Sequence, residues 1–139
     1  MLLFRESIPS TWVTHVMADL LSLLVDHAHL ERKAATPALN LEKYRLLFDR
    51  VHELNAVAIE EFQHYGLVHR LLQRRGIPFA EPQPSPWTKG LIRSIRNGVQ
   101  GQVIDRLVVC ALNEGRSCDK FQALACALAP VDPELGSFY

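Results

Sequence analysis

The sequence has no excess of either charge. Fifteen Lys and Arg stand against fifteen Asp and Glu in 139 residues, a formal net charge of zero. That excludes a protein that coats nucleic acid by charge alone, though not one with a local basic patch. Nor is there an apolar run near the roughly 20 residues of a membrane span. The stretch 20–25 is broken at Ser22 and followed by Asp26, His27 and His29. The first residues, Met-Leu-Leu-Phe-Arg-Glu-Ser, lack the basic start, apolar stretch and small-residue cleavage site of a signal peptide. A soluble, cytoplasmic chain with no membrane partner is the expectation. Cysteine is scarce: Cys110, Cys118 and Cys126 only, an odd count that argues against a disulfide framework. Their spacing of eight places them on one helical stripe as buried, reduced thiols, and no pair has the short separation of zinc sites. A Gly-rich phosphate loop, a Gly-x-Ser-x-Gly elbow and zinc-finger spacing are all missing. So is any sustained two-residue alternation, which excludes a sheet.

What is present is helical periodicity. Hydrophobic residues make up 48%, enough for the core of one domain spanning 1–139. The first segment starts near Ser10 or Thr11, either a good cap, and carries Val13, Val16, Met17, Leu20, Leu21, Leu24 and Ala28 on one face. Pro37 is expected to kink or end it. The second runs from about Leu46 to Arg75, with Gly76 as its stop. A connection with four prolines follows (Pro78, Pro82, Pro84, Pro86), then a short helix over 89–96. The third spans about Gln100 to Leu128, and Asp132-Pro133 opens a further helix. Long helices, a tight turn and a long crossover predict an all-α, ferritin-like antiparallel bundle with three long helices and a truncated fourth.

Three glutamates stand in apolar company. Glu61 and His64 form Glu-x-x-His, one turn apart on the face of Leu54, Val57, Val68 and Leu71. Glu31 follows Leu24 and Ala28, and Glu114 sits among Leu107, Cys110, Ala111, Cys118 and Phe121. Buried carboxylates need compensation, and metal coordination provides it. Helical di-iron sites use this vocabulary: a lone Glu from two helices and Glu-x-x-His from the other two. Glu31, Glu61, His64 and Glu114 are therefore the expected ligands, converging on one site. His27, one turn before Glu31, is either a partner to the ligands, an extra ligand or a satisfied core or surface histidine. Leu24, Val57, Leu107 and Phe121 are candidate pocket walls, with Cys118 beside them. His15, His29, His52 and His69 are assigned to surface or packing. The runs 31–35 and 114–118 form a faint repeat, each a Glu before a basic and two small residues. The interval from Glu31 to Glu61, applied to Glu114, points beyond Tyr139, so a second Glu-x-x-His is expected outside this chain.

These motifs carry a family resemblance. Asp26-His27-Ala28-His29-Leu30-Glu31-Arg32-Lys33-Ala34-Ala35, Glu60-Glu61-Phe62-Gln63-His64 and Asn113-Glu114-Gly115-Arg116-Ser117-Cys118 resemble three ligand helices of the tRNA 2-methylthio-N6-isopentenyladenosine hydroxylases (MiaE type). The resemblance spans Trp12 to Tyr139. It implies a ferritin-like fold, two non-haem irons, dioxygen as co-substrate, an external electron donor of unknown identity, and hydroxylation of the isopentenyl group beside the tRNA anticodon. By that resemblance Glu31 is a terminal carboxylate on the first iron and Glu61 a bridge. His64 is the imidazole on that same iron, and Glu114 the terminal carboxylate on the second. Family members continue into a fourth ligand helix, so this chain is expected to be a fragment that holds at most one iron well. The alternatives are a ferritin-like iron-binding protein and an inactive helical fragment without oxygenase activity.

A local basic patch also emerges. Arg70, Arg74, Arg75, Lys89, Arg93 and Arg96 fall within 27 positions where only Glu81 is acidic. They are the expected contacts to tRNA phosphates.

Overall fold

The computed structural model describes residues 4, 6–82 and 86–139. Every element among them is helical. In chain order these are α1 (Ser10–Ala18), α2 (Leu20–Leu41), a 3-10 turn (Arg45–Arg50), α3 (Val51–Arg74), α4 (Pro86–Arg93), α5 (Val99–Leu128) and α6 (Pro133–Phe138). None is long and apolar enough to cross a membrane. The chain divides into two compact units: Leu21–Leu107, and Met1–Leu20 with Val108–Tyr139.

In the unit Leu21–Leu107, α2 and α3 run antiparallel. Ala35 and Ala38 of α2 pack on Ala58 of α3, three small residues that let the two backbones approach closely. Toward the turn, Leu41, Tyr44 and the α5 residue Val103 form a second cluster with Leu47 and Leu54. The Tyr44 hydroxyl donates to Gln102 Oε1 at 3.0 Å there. Pro37 lies inside α2 and does not end it. Interior proline costs about 3 kcal/mol. Burial of Ala35, Ala38 and Leu41 on either side offsets that cost, since a buried Leu alone contributes roughly 1.5–3 kcal/mol. Helix α3 ends as its sequence requires. Gly76 adopts φ +65°; its N–H bonds the Gln73 carbonyl, and the Ile77 N–H bonds that of Leu72. This is a Schellman closure, with glycine where a side chain would be strained.

The first segment differs from its expectation. The helix that begins at Ser10 breaks at Asp19 (φ −142°, ψ 72°) and resumes at Leu20. Asp competes for backbone hydrogen bonds and is poorly tolerated inside helices, so the apolar periodicity alone was misleading. The capping residue is Pro9, without a side-chain bond. Of the proline-rich connection, residues 83–85 lie outside the described set.

In the second unit, Leu124, Leu128 and Leu135 are fully buried. Asp132 caps α6 by accepting from the Leu135 N–H at 3.0 Å, as the Asp-Pro pair predicted. Gly136 sits so close to α5 that a Cβ there would meet the Ala129 backbone at 2.9 Å. The cysteines are a correction. All three remain thiols, but Cys118 and Cys126 are exposed and Cys110 is only partly buried. The stripe they share does not face the core.

Candidate metal centre

Helix geometry brings three of the four expected ligands together. Glu61 and His64 lie one turn apart on α3, and Glu31 of the antiparallel α2 faces both. One ligand atom from each lies within 4.8 Å of the others. His64 Nδ1 stands 3.5 Å from Glu31 Oε2 and 3.9 Å from Glu61 Oε2. Both carboxylates are 12% exposed whereas the imidazole is 44% exposed, so the cluster opens to solvent on the His64 side.

The electrostatics hold the Glu31 carboxylate in its charged form despite its burial. Burial is the largest influence on Glu31 and pushes its carboxyl up. It is outweighed by the hydrogen bond and charge of His27, a hydrogen bond from Glu61 and the charge of His64, so the group titrates below its ordinary value. Two carboxylates with one imidazole, their ligand atoms within 4.8 Å of one another, are a donor set that suits a metal such as iron. The residues present therefore fit a metal ion.

His27 is the buried neighbour of this cluster, its Nε2 lying 2.8 Å from Glu31 Oε1. Leu24, one turn further back on α2, is fully buried. Val57 and Leu107 are exposed, against expectation, and Phe121 is partly buried. Apolar character on a helix face did not by itself place these side chains inside. Glu114 lies on α5 in the other compact unit and is exposed. Cys118, one turn beyond it, is exposed too.

Of the basic residues, Arg70, Arg74, Lys89 and Arg93 are exposed and Arg75 is partly buried. Arg96 is committed elsewhere. It grips Asp105 through Nε at 2.9 Å and Nη2 at 2.6 Å, and its backbone N–H donates to the same carboxylate at 2.8 Å. The guanidinium hydrogen bond is the main reason that Asp105 titrates at about 2. His29, assigned to surface or packing, is a packing residue whose partner the sequence did not reveal. It is buried, and it bonds the carbonyl of Ala80, a partner 51 positions away that no local pattern announces.

Fold and cluster together define an all-helical protein with a carboxylate–histidine cluster that could hold a metal ion on adjacent antiparallel helices. Comparison with known proteins is consistent with that class and narrows it. A solved structure, protein 43 with aldehyde deformylating oxygenase activity from Synechococcus, superposes with TM-score 0.83 at 33% identity. The match covers 97% of this chain and 67% of that one, and the fold is ferritin-like. The chain belongs to the tRNA-(MS[2]IO[6]A)-hydroxylase (MiaE) family, whose model matches residues 2–139. A tRNA 2-(methylsulfanyl)-N(6)-isopentenyladenosine(37) hydroxylase of Pseudomonas putida is 39% identical over 132 residues, covering 94% of this chain and 63% of the relative. The Salmonella typhimurium enzyme of the same name is 35% identical over 107 residues, covering 77% and 37%. The chain thus spans less than two thirds of the length of either relative.

Proposed function

We propose that this chain works as a non-haem di-iron hydroxylase that acts on the isopentenyl group of 2-methylthio-N6-isopentenyladenosine in tRNA. The observation that carries the reading is the convergence of Glu31, Glu61 and His64 in a chain of this family. When bound, reduced iron supplies the activation of dioxygen needed to hydroxylate an unactivated carbon, with electrons from an external donor. The protein's own groups do the rest. Glu31 from α2 and Glu61 and His64 from α3 would hold a metal ion between the two helices. His27 fixes the rotamer of Glu31, and Leu24 keeps water from its back. Arg70, Arg74, Arg75, Lys89 and Arg93 hold tRNA phosphates, and the half-exposed side of His64 is where the modified base approaches.

The test is product formation on tRNA bearing the modified adenosine, with ferrous iron, dioxygen and a chemical reductant, using the longest protein that contains this chain. Hydroxylated nucleoside in the digest, absent when Glu61 is changed to Ala, is the expected result. Tight iron binding without product would instead make the protein an iron-binding relative.

A further inference from the structure

A group of rings outside the metal cluster has no part in the function above. Phe79, on the segment after α3, stacks on His29 of α2 with centroids 4.3 Å apart and planes 21° apart. Both nitrogens of His29 are engaged. Nε2–H donates to the Ala80 carbonyl at 2.7 Å, which leaves Nδ1 to accept from Arg32 Nη2 at 3.2 Å. The imidazole is thereby fixed in one tautomer and one orientation. It holds Phe79 both by its face and through the backbone of the next residue. Tyr65 and His69 of α3 meet the same ring at centroid distances of 6.2 and 5.7 Å, tilted and edge-on. Despite four aromatic and histidine rings gathered in one place, Phe79 remains 39% exposed.

A cation stands beside it, and a second lies on α3 next to His69. The Arg32 guanidinium is 6.0 Å from the Phe79 centroid. Arg70, which follows His69, folds back along α3 until its Nη1 would lie 3.3 Å from a Cβ at Gly66. A glycine immediately after Tyr65 leaves room for that guanidinium. A half-exposed ring held in place by its neighbours, with a guanidinium beside it, matches a flat, electron-rich group attached to anionic phosphates. An unpaired nucleotide has that chemistry, and single-stranded RNA is held by aromatic stacking combined with basic contacts.

We propose that Phe79, backed by His29 and accompanied by Arg32, is a stacking platform for an unpaired nucleobase in the loop of an RNA substrate. The base is a neighbour of the one to be modified, since the platform lies outside the metal cluster. The proposal rests on the RNA-directed function given above. A base already stacked within a duplex gains nothing from the platform, so its effect is confined to loops.

The experiment is fluorescence-anisotropy binding of the full chain, without metal, to a labelled stem–loop RNA and to a blunt duplex of the same stem, across a salt series. Phe79→Leu keeps an apolar side chain without the ring. It should weaken stem–loop binding about 5- to 150-fold, the effect of one lost stack. Duplex affinity and the salt slope of both RNAs should stay unchanged. Phe79→Trp should bind the stem–loop at least as tightly as the parent, and circular dichroism melts report whether each variant folds. Unchanged stem–loop affinity in the Leu variant overturns the platform, as does equal loss on both RNAs or a folded Trp variant no better than Leu. A parent chain that binds neither RNA overturns the RNA-directed function itself.

Discussion

His27 Nε2 lies 2.8 Å from Glu31 Oε1, which leaves Oε2 turned toward His64 Nδ1 at 3.5 Å. One oxygen of the carboxylate is pinned by a buried imidazole and the other is offered to the cluster. A ligand held in this way loses little rotamer freedom when it binds a metal, and partners of this kind typically contribute 10- to 100-fold in affinity. His27→Ala should therefore weaken ferrous or cobaltous ion binding by about that factor, measured by calorimetric titration. Unchanged affinity would reduce His27 to a packing residue.

Glu61 lies beside Glu31 in the cluster and is hydrogen-bonded to it. Glu61→Gln keeps a hydrogen-bond donor beside Glu31 and removes one carboxyl group from the cluster, so the metal-free variant should melt no lower than the parent. It should also lose the stabilisation that metal confers. In the parent, a site at 100 times its Kd gains about 2.7 kcal/mol. Thermal melts with and without added metal separate the two effects. Metal analysis of the parent should give at most one tightly held iron per chain, since one complete set of donors converges in a single compact unit.

Glycine is required at position 76 for its backbone and at position 136 for space. At Gly76 a Cβ would touch nothing within 4 Å, but φ is +65°. Gly76→Ala should cost about 1–2 kcal/mol, the strain of a left-handed residue, and leave metal binding intact. Gly136→Ala forces a contact with backbone at 2.9 Å and should cost more, displacing α6 from α5. Denaturant midpoints of the two variants rank the effects, and the reverse order would contradict this assignment.

Within the basic patch, Arg96 is held by Asp105. Arg93→Ala should lower the salt slope of tRNA binding by roughly 0.7–0.9 and weaken all sequences alike. Arg96→Ala should leave that slope unchanged, because Asp105 already neutralises the guanidinium. Its effect is on Asp105, whose carboxyl should rise from about 2 toward its ordinary 3.8. The sign follows from a depressed carboxyl: the pair's contribution is full above pH 3.8 and is lost as the pH falls through about 2. Carboxyl carbon shifts in an NMR titration measure this.

The sequence made the helices legible because their periodicity, the Gly76 stop and the Asp132-Pro133 start are local signals. Glu61 and His64 were legible for the same reason, lying within one turn, and Glu31 by its apolar neighbours. Three kinds of feature escaped. Asp19 breaks a helix that the pattern of apolar residues would continue, and Pro37 fails to break one, because capping competition and tertiary burial decide these cases. Val57, Leu107 and the cysteines show that an apolar stripe does not specify what covers it. His29 and Arg96 depend on partners brought close by the chain's path, Ala80 and Asp105, which spacing rules do not reach.

Glu31 and His64 sit on consecutive long helices, so a single helical hairpin completes the donor set. Contacts between successive helices form early in folding, since little loop entropy is lost in closing them. The metal-binding cluster can thus assemble while the rest of the chain is still unstructured or emerging from the ribosome. Ferrous ion captured then would act on the order of folding as well as on its endpoint, by holding α2 to α3 before α5 arrives. Refolding followed by stopped flow, with metal present from the start or added later, would show whether the hairpin is the kinetic nucleus.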